Sequence, residues 1–403
     1  MALTPVKVAL KALLDSVPAA TRPETVPLAQ AAGRVLAGPL TALRTQPPFA
    51  NSAMDGYAAR ADDLVPANEL RVIGESAAGR AFSGSVGPGE AVRIFTGAPM
   101  PAGADTVLIQ ENADGVGSAT IWVREATAKG RFVRPAGLDF AQGEVLLPAG
   151  RLLDSAALGL AAAGGHPALS VRRKPLVAIL ATGDELVLPG ETVGPDQIVA
   201  SNSFSLAAIV EQAGGTVLDL GIARDNHPDL ASKIEQAKSA DADVLITLGG
   251  ASVGAHDLVQ AALKAQGMEL GFWKIAMRPG KPMMTGRLGR MVALGLPGNP
   301  VASIVCGHLF VVPVIEALLG MADPDRDRSE PATLGIDMPA NDEREDYVRS
   351  ELVKTADGWR VTPFAKQDSS MLGLLARAQA LVIRPAFAEP ANQGDACRIL
   401  RLR

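Results

Sequence analysis

Leu176-Val177-Ala178-Ile179-Leu180-Ala181-Thr182-Gly183-Asp184-Glu185-Leu186 starts as an unbroken apolar run and ends in a hydroxyl, a glycine and two carboxylates. The same change of character recurs three times. Val244-Leu-Ile-Thr-Leu248 runs into Gly249-Gly250-Ala251-Ser252-Val253-Gly254-Ala255-His256-Asp257, and Phe272 to Met277 into Arg278-Pro279-Gly280-Lys281-Pro282. Met291-Val-Ala-Leu294 leads to Pro297-Gly298-Asn299-Pro300. Short continuous apolar runs suit strands covered on both faces. Loops leaving the carboxyl ends of such strands face one crevice, where open α/β sheets bind their ligands.

Helical patterns separate these runs. After Ser201, a candidate N-cap, Leu206, Ile209, Val210 and Ala213 recur at one-face spacing until Gly214-Gly215. Thr216 to Leu220 reads as a further strand, and Pro228 to about Ser239 as a helix. The expected fold class is therefore a multidomain α/β protein with a doubly wound parallel sheet over about 175–325.

With 403 residues, the chain exceeds what one hydrophobic core usually serves. From Thr41 to Pro148, glycines and prolines cut the sequence into short β-type pieces such as Ala91 to Phe95, Thr106 to Ile109 and Thr120 to Val123. Helical patterns at about 4–36 and 154–163 flank this stretch, so it reads as an insertion. Short strands return after Pro324. The expected division is a discontinuous helical and linker unit at 1–45 and 146–174, an inserted β domain at 46–145, the α/β domain at 175–325 and a β-barrel-like domain at 326–403.

A net charge of -5 offers no field for nucleic acid. Cys306 and Cys397 belong to no metal-type spacing and fit a reducing cytoplasm. The run Val301 to Gly320 is long enough to span a bilayer, but His308, Pro313 and Glu316 interrupt it and favour a buried helix.

Chemically, the strand-end loops combine three features. Asp184, Glu185 and Asp257 are hard oxygen donors of the kind Mg²⁺ uses when phosphates complete its shell, although a lone acid after a strand is more often a cap. Gly249, Gly250 and Ser252 allow close approach of a backbone to phosphate. Lys274 and Arg278 would share a face of an alternating strand, and Lys281 follows in a rigid turn, which suits an anion. Pro48 to Ala58 and Ile94 to Pro101 read as turn-rich, with short polar residues that packing alone does not explain.

Six motifs, Ser52-Ala-Met-Asp-Gly-Tyr-Ala58, Phe95-Thr-Gly-Ala98, Thr182-Gly-Asp-Glu-Leu186, Gly249-Gly-Ala-Ser-Val-Gly254 with Asp257, Arg278-Pro-Gly-Lys-Pro282 and Leu296-Pro-Gly-Asn-Pro-Val301, stand in one order along almost the whole chain. In this the sequence resembles the MoeA family of molybdopterin molybdenumtransferases, which includes the C-terminal domain of gephyrin. The resemblance implies a MoaB/MogA-like α/β domain, a homodimer of four-domain protomers and a cleft between the α/β domain of one protomer and the β insertion of the other. It also implies Mg²⁺-dependent insertion of molybdate into adenylylated molybdopterin with release of AMP.

By motif, the resemblance assigns Glu185 and Asp257 to Mg²⁺ or the phosphates, with Asp184 beside them. Lys274, Arg278 and Lys281 would bind substrate and molybdate. Asp55, Thr96 and Asp139 would come from the partner protomer, and Asp225 would line the cleft. Pro297, Asn299 and Pro300 would meet substrate, and Arg349 and Ser369 match more loosely. Arg278 stands where some members have Lys, which keeps the charge and adds a bidentate grip. Other enzymes of cofactor biosynthesis are expected partners, and nucleic acid and membrane are not. Two alternatives stay open: a molybdopterin adenylyltransferase-like activity, because the α/β domain alone resembles MogA, and a gephyrin-like scaffold.

Overall fold

A computed structural model describes residues 3–249, 258–271, 274–281 and 283–402. At its centre lies a six-stranded sheet in the order Thr216–Ala223, Leu176–Thr182, Val244–Leu248, Met291–Leu296, Met284–Leu288, Glu269–Leu270. The first four strands are parallel; Met284–Leu288 runs against them at the edge, and Glu269–Leu270 pairs antiparallel with it. Val244–Leu248 and Met291–Leu296 are buried at every residue, the double coverage their apolar runs imply.

Helices cover both faces. On one side, Asn202–Gln212 and the helix running from Pro300 to Leu318 pack Leu206, Val210, Val305, Phe310 and Ile315 against Val177, Ile179 and Ile246. On the other, His227–Ser239 and Leu258–Ala265 bring Leu230, Ile234, Val259 and Leu263 to Ala178, Leu180 and Leu245. The long apolar helix is thus a core element: Val301, Val305, Phe310, Val311 and Val314 are wholly buried. Its middle, Gly307–Val311, is a single π turn, an insertion that α-helices accommodate locally.

Two sequence expectations need correction. The helical pattern over 4–36 stops at Ser16, and Pro23–Pro27 pairs antiparallel with Ala168–Arg172. Prolines at 18, 23 and 27 remove backbone donors and bias the residues before them toward extended geometry, so the helix cannot continue. The first helix, Val6–Ser16, buries Val6, Ala9 and Leu13 in the core of the α/β sheet. Second, the segment ending at Arg278 is not a strand of that sheet. Ile275 bridges Thr4, and Met277–Arg278 pairs with Glu345–Asp346 of the last unit; Phe272 and Trp273 lie outside the described residues.

The insertion forms its own six-stranded sheet, including the buried strand Gly56–Ala59 inside the stretch read as turn-rich. It is entered and left side by side, because Leu40–Thr41 pairs antiparallel with Val145–Leu147. Toward the C-terminus, Ser329–Leu334, Ala396–Arg401, Ala380–Arg384, Glu345–Thr355 and Gly358–Pro363 close into a ring, since the last strand pairs back onto the first. Leu334, Val361, Val382 and Ile399 fill it.

The long helix is tied to the linker that follows it. Glu316, buried near its end, accepts hydrogen bonds from both Arg326 (2.7 and 3.0 Å) and Arg328. Burial works to raise the Glu316 carboxyl, and the two guanidinium groups outweigh it, leaving it below the usual value of 4.5. A depressed carboxyl stabilises the fold above its unfolded pKa, and this is lost as pH falls through the folded one. Glu316→Gln should therefore cost about 3 kcal/mol at neutral pH in urea denaturation, on the scale of a broken buried pair, and the difference from wild type should close below pH 4.5.

Candidate active site

The carboxyl ends of the central strands are locked to one another. Thr182 Oγ1 donates to the Leu248 carbonyl (3.3 Å), Gly249 N–H to that of Leu296 (3.2 Å) and Gly183 N–H to that of Ala223 (3.2 Å). Gly249 has φ +102° and lies so close to Thr182 that an added Cβ would sit 2.9 Å from its oxygens. At Gly183, φ +146°, a Cβ would fall 2.4 Å from Glu185 Oε2, so the Glu185 carboxylate occupies the space a side chain would need.

Beyond these ends opens a cavity of about 530 Å³. Its floor is Thr182, Glu185, Leu248 and Gly249; Ser201, Asn202 and Ser203 line one wall, and Gly298, Asn299, Pro300 and Ser370 another. Leu186–Val187 and Ile198–Val199 form a two-stranded parallel rim, with Ile198 58% exposed. Ser201 makes no side-chain cap for the helix it precedes, and instead faces the cavity. Asn202 Nδ2 donates to the Gly298 carbonyl (2.6 Å), joining two walls. The sequence gives no periodic signal for this contact, and Asn202 and Ser370 were missed for that reason.

Beside the cavity the acids crowd together. Asp184 Oδ1 accepts from Asp225 N–H (3.2 Å), and Arg224 Nη1 donates to the Asp184 carbonyl (3.1 Å). Burial, then the charges of Asp184 and Glu185, lift the Asp225 carboxyl above its usual value. A dication would relieve that repulsion, so the donor chemistry fits Mg²⁺. Among the described residues no three His, Cys, Asp or Glu side chains form a ready metal cage. Asp257, Gly250 and Ser252 lie outside the described residues.

Pro297 and Asn299 shape the turn before the long helix: the Pro297 carbonyl accepts from Ser303 Oγ (2.6 Å) and that of Asn299 from Ser303 N–H (3.0 Å). Arg349 is 1% exposed and donates to the Asp368 carbonyl (2.7 Å) and Gln367 Oε1 (3.2 Å). It therefore orders the loop whose Ser369 carbonyl accepts from Val301 N–H (3.2 Å) and whose Ser370 reaches the cavity.

The three cations sit on a loop stitched from outside. Thr4 N–H donates to the Lys274 carbonyl (2.9 Å), Ala276 N–H to that of Thr4 (2.7 Å), and Glu345 N–H to that of Ala276 (2.9 Å). A bend at Ala276, where Met277 N–H meets the Ile275 carbonyl (2.9 Å), interrupts the alternation expected to align Lys274 with Arg278. Lys274 and Lys281 form no ion pair among the described residues. Arg278 is engaged: Nη1 donates to Asp342 Oδ2 (3.1 Å), and Nη2 to Asn341 Oδ1 (3.2 Å) and Asp346.

Asp55, Thr96 and Asp139 form a separate group on the insertion. Asp55 Oδ1 accepts from Thr96 N–H and Oγ1 (both 2.8 Å); these bonds, with Arg93 nearby, hold its carboxyl below the usual value despite partial desolvation. Asp139 lines a second cavity of about 400 Å³ with Phe49, Asn51 and Arg134, and this cavity shares no residue with the first.

A parallel sheet, joined to an inserted β unit and a closed barrel, defines a multidomain α/β protein with its candidate site at the strand ends. Residues 4–165 match the MoeA N-terminal region (domains I and II), 178–317 a probable molybdopterin binding domain and 331–402 the MoeA C-terminal region (domain IV). Molybdopterin molybdenumtransferase 2 of Mycobacterium tuberculosis is 39% identical over 331 residues, 79% of this chain and 81% of that one. The molybdopterin molybdenumtransferase of Bacillus subtilis is 33% identical over 94% of this chain and 90% of its own. The crystal structure of the molybdopterin biosynthesis MoeA protein of Pyrococcus horikoshii OT3 superposes with a TM-score of 0.84 at 29% identity, covering 99% of both chains. The chain belongs to the MoeA family of molybdopterin molybdenumtransferases.

Because the fold disfavours a charged Asp225, the penalty is absent below the unfolded value of 3.8 and complete above the raised folded one. Asp225→Asn should accordingly raise the melting temperature at pH 7, with the gain gone near pH 3; differential scanning fluorimetry across pH measures this.

Proposed function

We propose that this chain inserts molybdate into adenylylated molybdopterin in a Mg²⁺-dependent reaction that releases AMP, as a cytoplasmic homodimer. The observation that carries this reading is the convergence of Glu185, Gly249, Asn299 and Ser370 on one cavity at the strand ends. Relatives named for this transferase activity match over most of the chain.

In this reading Glu185 and Asp257, with Asp184 beside them, would hold Mg²⁺, which supplies charge neutralisation on the phosphate oxygens. Gly249, with Gly250 and Ser252, would let backbone approach the phosphates, and Asn202 would keep the facing walls in register. Asp225 would line the cleft. Pro297, Asn299 and Pro300 would fix the far wall. Lys274 and Lys281 would provide the mobile positive charge for a tetrahedral oxyanion, with Arg278 on the same loop. Arg349 would act indirectly, by ordering the loop that carries Ser369 and Ser370.

Asp55, Thr96 and Asp139 lie on the insertion, away from the Glu185 cavity. We place them in the partner protomer's half of the cleft, as the motif resemblance implies. Other enzymes of cofactor biosynthesis would supply the adenylylated substrate and take up the product.

The test is AMP release from adenylylated molybdopterin with molybdate and Mg²⁺. Wild type should show release that depends on both ions, and Glu185→Ala and Lys274→Ala should each lose at least about two orders of magnitude, the scale of removing a preorganised electrostatic group. Gly183→Ala, which displaces the Glu185 carboxylate, should approach the Glu185→Ala rate and, because it forces a side chain onto a φ of +146°, melt below wild type. No release by folded wild type would sink the proposal and favour an adenylyltransferase-like or scaffold role.

A further inference from the structure

The cationic loop holds its arginine in an unexpected state. Arg278 faces Asp342, Asp346 and the Asn341 side chain, all from the barrel unit, and backbone pairing of Met277–Arg278 with Glu345–Asp346 fixes it there. The other charges at this contact are spoken for. Arg344 donates to Asp342 (2.8 Å), and Glu345 accepts from the Tyr347 hydroxyl. Two guanidinium groups thus meet two carboxylates, and Arg278 adds little net field for an anion, although its side chain is 46% exposed.

Stability does not account for this arrangement. Asp346 is 13% exposed, and its Oδ1 is buried with no hydrogen-bond partner among the described residues. The two partners respond in opposite senses: Arg278 is held more firmly protonated by Asp346, whereas burial lifts the Asp346 carboxyl in spite of the guanidinium. Desolvation outweighs the pairing, and a half-satisfied buried carboxylate of this kind is weak as a stabilising device. Asn341 shows the same emphasis on placement: its Nδ2 donates to the carbonyls of Arg344 (2.8 Å), Arg384 (3.0 Å) and Pro385 (2.9 Å), while its Oδ1 receives Arg278.

We propose that Asp346 and Asp342 are positioning residues that hold Arg278 as a strut between the loop and the barrel, and so set how much positive charge the loop offers an incoming tetrahedral oxyanion. This rests on the proposed function of the same loop. The strut leaves Lys274 and Lys281 as the groups that attract the oxyanion, and masking Arg278 keeps the site from holding it too tightly.

The experiment is calorimetric titration of the full-length protein with molybdate. Asp346→Asn should bind on the order of five-fold more tightly than wild type, the scale of one partly solvated charge at contact distance, with a steeper loss of affinity in added salt. Asp342→Asn, which touches no buried carboxylate, should tighten binding in the same direction and decides the matter if Asp346→Asn fails to fold. In an Arg278→Ala background the tightening should vanish. Unchanged or weaker binding by folded variants, or tightening that persists without Arg278, would overturn the strut. Wild type that binds no molybdate at all would overturn the proposed function together with it.

Discussion

When a parallel ladder stops, the last backbone donors and acceptors of each strand need partners, and here they find one another. Thr182, Gly249 and Leu296 are joined across three neighbouring strands, and Gly183 reaches back to Ala223 on the fourth. This mutual satisfaction leaves no slack at the floor of the cavity. A Cβ at either glycine would be strained, since φ is positive at both and oxygens of Thr182 or Glu185 already stand in that space. The position of Glu185 is a by-product of the same closure.

The other walls are supplied at a distance in sequence. The long helix brings Asn299 and Pro300, the barrel brings Ser370, and the helix after the rim brings Asn202. They are tied to one another: Val301 N–H donates to the Ser369 carbonyl and Asn202 Nδ2 to that of Gly298. The cavity is therefore a junction between units.

Much of this was legible in the chain. Runs such as Val244–Leu248 are buried on both sides and so are apolar throughout, which makes them and the loops after them easy to find. Of the residues named by motif resemblance, Glu185, Gly249 and Asn299 line one cavity, whereas Asp55 lies apart on the insertion. Interactions between side chains far apart in sequence were not legible. Arg278 looked like a free cation because nothing in Arg278-Pro-Gly-Lys-Pro282 announces Asp342 or Asp346, some 64 and 68 residues later. The alternation of Lys274, Ala276 and Arg278 suggested a strand face, but a bend closed by a local backbone bond is invisible to period-2 patterning. Pro23–Pro27 is the opposite case: its prolines stand in the sequence itself, and they end the helical spacing at Ser16.

The paired stem of Leu40–Thr41 and Val145–Leu147 means that the whole inserted sheet hangs from a neck two strands wide. Its polypeptide crosses no other unit on the way out or back. Such a module can change length, tilt or surface character without rethreading the rest of the molecule, so the position of Asp55 and Asp139 is set at the neck while the cavity floor stays where the parallel sheet puts it.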